Sequence, residues 1–347
     1  MILFIYLTLI SIFHASTRQL TDQYSNPIRS KLRLNKHNKF IIITLADLHY
    51  GEEPSLSWGP EQDFNSTRAI NRFLDLQDPE LVVFTGDQLT GEFMFKNYTK
   101  YVKQFTKPLR ERGIKWSSVY GNHDIGPNVQ RERILEEEQR YFGSYTKKSD
   151  KELEGVGNYL LKVYDKKSRK KNKKDKLKML MYFLDSRGGY EKEGEPGIPM
   201  EIGKNALKWL ETSLKFYKLK DNSLPILLFF HVPTIQFHYA KEKYPMNCSL
   251  DALNEDGVTP QDNDTGLFNI IKNYNVKGLF VGHDHGINWC CKYENINLCF
   301  CPHSGYGGYG TWERGIRIIE LDYSKNGPLI STYNQFESGK KSKVYYL

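Results

Sequence analysis

Five short apolar runs recur along the chain, and each stops on residues with ionisable or coordinating side chains. Phe40–Leu45 (FIIITL) is followed by Ala46-Asp47-Leu48-His49, and Leu81–Thr85 (LVVFT) by Gly86-Asp87. Trp116–Tyr120 leads into Gly121-Asn122-His123-Asp124, Pro225–Phe230 (PILLFF) into His231, and Gly278–Val281 (GLFV) into Gly282-His283-Asp284-His285. Continuous, β-branched runs of this kind predict strands buried on both faces. Between them, Ser66–Leu76, Tyr98–Arg112, Arg131–Phe142 and Asn205–Phe216 read as helices; the last sets Ala206, Trp209, Leu210 and Leu214 at helical spacing. Tyr159–Tyr164 and Lys178–Leu184 read as paired strands, and Ile316–Leu321 as one more. Strand and helix in alternation predict an α/β layered fold. In such folds ligands sit beyond the carboxyl ends of the strands. The five polar clusters are therefore expected to meet.

Singly, each cluster is weak. A Gly-Asp pair is usually a turn, and a histidine after a strand is more often structural than a ligand. Gly-Asn-His-Asp suits any loop that needs left-handed backbone. Their order and mixture carry the signal. The string Asp47-x-His49, Gly86-Asp87, Gly121–Asp124, His231 and Gly282–His285 resembles the signature of calcineurin-like metallophosphoesterases.

That resemblance implies a four-layer α/β/β/α sandwich, one catalytic domain over residues 38–333, and two metal ions about 3.5–4 Å apart. It places Asp47, His49 and His285 on the first ion, Asn122, His231 and His283 on the second, and Asp87 between them. A donor set of nitrogen and oxygen without thiolate suits Mn, Fe, Zn or Ni. The resemblance further implies a metal-bridging hydroxide as nucleophile and His123 as proton donor to the leaving oxygen. A neighbouring carboxylate, Asp124 or Asp47, is expected to orient His123; the alternative is a His123 that only hydrogen-bonds behind the ligands. Asn122 and His123 are expected to contact substrate. Gly86, Gly121 and Gly282 are expected to turn the backbone sharply beneath the metals.

The downstream string from His303 through Trp312-Glu313-Arg314 to Arg317, rich in tyrosine and glycine, resembles a branch that holds a yeast phosphatase and "probable inactive purple acid phosphatases". Leu184-Asp185-Ser186 does so too, and His303 is a candidate to line the pocket. Purple enzymes carry a tyrosine ligand three residues after the second-motif aspartate, which is Thr90 here, and glycine where this chain has His49. The resemblance thus implies a colourless site with seven ligands intact. The expected reaction is phosphomonoester hydrolysis on a phosphorylated small molecule or protein. Phosphodiester or nucleotide pyrophosphate hydrolysis is the alternative on the same site, and a metal-binding scaffold without turnover is a third reading.

The net charge of +8 excludes less than it suggests. Lys166–Lys178 holds nine Lys/Arg and one Asp, so the rest of the chain is neutral overall. A nucleic-acid partner would need a basic face on the folded body. The run at 165–178 reads as a solvated loop insertion, with weak contact to an anionic surface as its alternative. Met1–Phe13 is apolar but shorter than the roughly 20 residues that span a bilayer. With Ala15 and Ser16 behind it, residues 1–16 fit a signal peptide or signal anchor. Sequons at Asn65, Asn97, Asn247 and Asn263 agree with the secretory pathway, as a secreted glycoprotein or in a lysosome-like compartment. Cys290 and Cys291 face Cys299 and Cys301 across Lys292–Leu298, where Asn295-Ile-Asn297 offers a turn. A cross-hairpin disulfide is expected, and a zinc knuckle is the competing reading.

Overall fold

The computed structural model describes residues 28–94, 97–166, 174–192, 194–249, 251–324 and 327–347. Its strands are β1 (Leu32–Arg33), β2 (Lys39–Leu45), β3 (Leu81–Thr85), β4 (Trp116–Val119), β5 (Tyr159–Tyr164), β6 (Leu177–Phe183), β7 (Ile226–Phe229), β8 (Val276–Val281), β9 (Cys290–Tyr293), β10 (Ile296–Phe300), β11 (Gly315–Asp322), β12 (Leu329–Phe336) and β13 (Tyr345–Tyr346). One sheet runs β1-β5-β6-β7-β8-β10-β9, the other β13-β12-β11-β2-β3-β4. The strands expected from the apolar runs all form, within two residues of their expected ends.

Side-chain alternation explains the layers. In β2 and β3, Phe40, Ile42, Leu81 and Val83 point into the inter-sheet core, where they join Met181, Leu227 and Phe280 of the other sheet. Their neighbours Ile43, Leu45, Val82 and Phe84 point the other way, onto helices α1 (Trp58–Leu76) and α2 (Tyr98–Arg112) through Phe73 and Phe105. Likewise Leu180, Leu228 and Leu279 meet Leu210 and Leu214 of the long helix Lys204–Lys220. Strands covered on both faces need apolar residues at every position. The result is the four-layer α/β/β/α order.

Across the middle of the larger sheet, Tyr159, Phe183, Phe229 and Phe280 stack in one row, centroids 4.6, 5.2 and 5.3 Å apart. They occupy directly opposed register positions on β5, β6, β7 and β8. Each such pair contributes about 0.5–1.5 kcal/mol beyond the area it buries. The row thus fixes register in the sheet that carries His231 and His283.

Two expectations need correction, and one of the two readings of the cysteines is settled. Helix α1 begins at Trp58, eight residues before Ser66, because Pro60 falls in its first turn, where proline lacks no needed donor. The helix expected over Arg131–Phe142 ends at Gln139. Gly143 then crosses the ring of Trp116 so closely that a Cβ would collide with it. The cysteines form two disulfides, Cys290–Cys299 across the β9–β10 hairpin and Cys248–Cys291, which overturns the zinc knuckle. Cys301 is free and buried. The hairpin turns at Glu294 and Asn295, with Glu294 left-handed at φ 51°. The expected signal segment lies outside the described residues, as does most of the lysine run.

Candidate metal centre

The loops after β2 and β3 stay paired beyond the strands. Leu48 and His49 both donate their N–H to the carbonyl of Asp87, at 2.8 and 3.0 Å, and Tyr50 donates to Gln88 at 2.9 Å. The acids then tie in the remaining loops. Asp47 Oδ1 accepts from His283 N–H at 3.0 Å, and Asp87 Oδ1 accepts from His123 N–H at 2.8 Å.

This stitching brings all seven expected ligands together as two clusters. Asp47, His49 and His285 each offer a ligand atom, all within 4.8 Å of one another; Asp87, His231 and His283 do the same. Oδ2 of Asp87 lies 3.0 Å from His231 Nε2 and 3.8 Å from His49 Nε2, so it stands between the clusters. Asn122 Oδ1 lies 3.1 Å from His231 Nε2, completing the second.

The imidazoles are presented as ligands. Nδ1–H of His231 donates to the carbonyl of Thr85 (2.9 Å), and Nδ1–H of His285 to that of Tyr309 (2.9 Å), which turns each Nε2 toward its cluster. Burial holds His49 well below the usual histidine range and takes His283 down to about 3, so both are neutral. Buried polar atoms normally find a partner. Asp47 Oδ2 and His49 Nε2 are buried and have none. Two such orphans, facing one cluster of nitrogen and oxygen donors, fit a bound cation.

The backbone is strained where the ligands sit. Asp47 (φ 55°), His49 (49°), Asp87 (52°) and His283 (79°) are all left-handed. Such conformations cost about 1–3 kcal/mol each and gather at functional sites. Gly86 is left-handed too (φ 104°), as expected. Gly121 and Gly282 are not, which corrects the expectation of sharp turns there. They are glycines for want of room: a Cβ on Gly121 would run into Asp87 Oδ1, and one on Gly282 would come within 2.9 Å of Asp47 Oδ2.

Asp124 is corrected in role. Its two oxygens accept Leu89 N–H and Gly121 N–H, both at 2.8 Å, so it clamps the loops after β3 and β4 and does not bond the His123 ring. Asp47 does not bond that ring either; its Oδ1 accepts from His283 N–H. The carboxylate that meets His123 is Glu92, whose Oε1 lies 2.7 Å from Nδ1. Burial pulls the His123 pKa down, but the charge of Asp87 and the bond to Glu92 outweigh it and raise the ring to about 9.

Sequence reasoning also missed how the tyrosine- and glycine-rich loop works. His285 is sandwiched between Tyr309 and His303, each with its ring centroid 4.0 Å away. His303 is buried, its Nε2 3.0 Å from the carbonyl of Gly307. Gly308 passes so near that a Cβ would come within 2.8 Å of His49 Cδ2. The loop was visible in the sequence as a motif, but its partner His285 was not.

The profile described as Calcineurin-like phosphoesterase matches residues 40–286. The chain is 28% identical over 321 residues to "Probable inactive purple acid phosphatase 14" of Arabidopsis thaliana, covering 86% of this chain and 79% of that protein. It is 29% identical over 342 residues to "Phosphatase DCR2" of Saccharomyces cerevisiae, covering 90% of this chain and 56% of that longer protein. A solved dimetal phosphatase from Danio rerio shares the fold, with TM-score 0.51 and 14% identity over 89% of this chain and 98% of that one. Two Asp/His clusters sharing a carboxylate, at the strand ends of a four-layer sandwich, have the geometry of a dinuclear phosphoester hydrolase. The chain belongs to the calcineurin-like phosphoesterase family and is related to its purple-acid-phosphatase-like branch.

Proposed function

We propose that this protein is a phosphomonoesterase acting on a phosphorylated small molecule or protein. The observation that carries the reading is Asp87 Oδ2, set between His49 and His231 so that one carboxylate serves both clusters. Asp47, His49 and His285 would hold one ion, Asn122, His231 and His283 the other, with Asp87 bridging. A metal pair in such a site supplies hydroxide at neutral pH and neutralises phosphoryl oxygens. His123 stands beside the bridging acid, its ring 5.2 Å from that of His49 and its Nδ1 bonded to Glu92, which leaves Nε2 to donate to the leaving oxygen. Asn122 adjoins His123 in the chain, with its side-chain Oδ1 3.1 Å from His231 Nε2. The test is hydrolysis of p-nitrophenyl phosphate against bis(p-nitrophenyl) phosphate with Mn, Fe or Zn added. A strong preference for the diester would replace this reading by a diesterase or pyrophosphatase, and bound metal with no turnover would leave a scaffold.

The secretory pathway is proposed as its compartment. The reading is supported by two disulfides and by the exposure of Asn97, Asn247 and Asn263 within their sequons. A glycosidase-sensitive mobility shift of the expressed chain checks it. Contact of Lys166–Lys178 with an anionic surface is a further proposal, supported by the local charge of that run. Unchanged vesicle binding after its deletion would remove that support.

A further inference from the structure

Glu92 is bound to the His123 loop both by its side chain and through the backbone of its turn. It lies in the short 3-10 turn Gly91–Phe93. The N–H of Gly91 donates to the carbonyl of His123 at 2.7 Å. A Cβ on Gly91 would collide with the Ile125 carbonyl, and one on Gly126 with that of Gly91, so turn and loop touch backbone to backbone. The turn is thereby fixed against the segment that carries the imidazole. Glu92 Oε1 takes Nδ1 of His123 at 2.7 Å, while Oε2 is buried with no other partner. On its far side the His123 N–H is held by Asp87 Oδ1. Nε2 is the nitrogen left to donate.

We propose that Glu92 is the positioning residue of the proton donor, locking the His123 ring through Nδ1–H, and that this pair adapts the site to monoesters of aliphatic alcohols. The inference rests on the phosphomonoesterase reading above. In the step concerned, a water gives up one proton to solvent and its oxygen forms a new bond to phosphorus. The ester P–O bond breaks, its electron pair stays on the alcohol oxygen, and that oxygen takes the proton from Nε2. The other proton stays on Nδ1, hydrogen-bonded to Glu92, and Nε2 regains its proton from solvent. An alkoxide is strongly basic and needs that proton as the bond breaks. A p-nitrophenolate is weakly basic and leaves without it.

The experiment uses the full chain loaded with manganese and compares glycerol 2-phosphate with p-nitrophenyl phosphate. Glu92→Gln is expected to lower kcat on the aliphatic ester about 10- to 100-fold, within the usual worth of a positioned acid, and on the aryl ester less than about 3-fold. KM and bound metal should stay as in the wild type. His123→Ala should lose activity on both esters and more on the aliphatic one, and Glu92→Gln should add nothing in that background. Equal losses on both esters, or an added loss in the His123→Ala background, would overturn the inference. If Glu92→Gln does not fold, the ratio of the two activities in Glu92→Asp decides by the same criterion. A wild-type chain that cleaves neither ester overturns the proposed function and this inference with it. A wild-type chain active on both, with parallel losses in the variants, overturns only the inference.

Discussion

The hydroxyl of Thr90 lies 3.2 Å from Nδ1 of His49. Thr90 holds the position where purple enzymes resemble one another in carrying a tyrosine ligand. Here the hydroxyl stands behind the ring: in the tautomer that offers Nε2 to a metal, it accepts Nδ1–H of His49. Thr90→Val keeps the shape and removes the acceptor. Metal affinity is expected to fall about 10-fold or more. Titration of the apo protein with Mn or Zn, followed by calorimetry, reads this directly. An unchanged affinity would show that burial alone orients the ring.

Tyr309 covers His285 with its ring (interplanar angle 9°) and fixes the tautomer with its carbonyl. Its hydroxyl also bonds Asp256 and accepts the His285 N–H. Tyr309→Ala keeps the carbonyl but removes the stack and both hydroxyl bonds. Occupancy of the cluster with Asp47 and His49 should weaken about 10-fold, while Tyr309→Phe should retain part of it. Stoichiometry after dialysis against limiting metal distinguishes the two.

Glu138 is fully buried and accepts from Trp116 Nε1 (3.0 Å), Ser118 Oγ (2.7 Å), Tyr120 OH (3.0 Å) and Thr146 Oγ1 (3.2 Å). Glu138→Ala would strand four buried donors in the layer beneath Gly121. Chemical denaturation should show a loss of about 3 kcal/mol or more. Glu138→Gln, which still accepts, should lose less.

Burial raises Asp63 to about 6, against the bond it accepts from Gly51 N–H. Because the folded value exceeds the ordinary 3.8, its contribution is fully present below that pH and is lost as pH rises through about 6. Asp63→Asn can keep the Gly51 bond without a charge. Its stability relative to wild type should therefore improve by roughly 2 kcal/mol between pH 4 and pH 8. Parallel melting curves across that range test the sign.

The strand framework was legible because both faces of each central strand are buried, which leaves no polar gaps in runs such as Leu81–Thr85. The ligands were legible because the fold places them directly after those runs. What escaped was what one loop does to another. Glu92 sits five residues past Asp87, off any strand end, and meets His123 only because Gly91 and Gly126 let two backbones touch. Asp124 looked like an orienting acid because it neighbours His123 in sequence, yet its carboxylate folds back onto two amides. The start of α1 was hidden by Gly59-Pro60, a pair that reads as a breaker and serves as a first turn. The pairing of Cys248 with Cys291 joins residues 43 positions apart, and spacing carries no trace of it.

The left-handed backbone at Asp47, His49, Asp87 and His283 has an evolutionary side. Glycine adopts that conformation without the steric cost that any side chain pays. A chain that lost its metals would thus gain sturdiness by drifting to glycine, and selection for folding alone would erase the site. At these four positions the chain holds acids and imidazoles instead, so the site sets a standing cost of about 1–3 kcal/mol per residue against the stability of the fold that carries it.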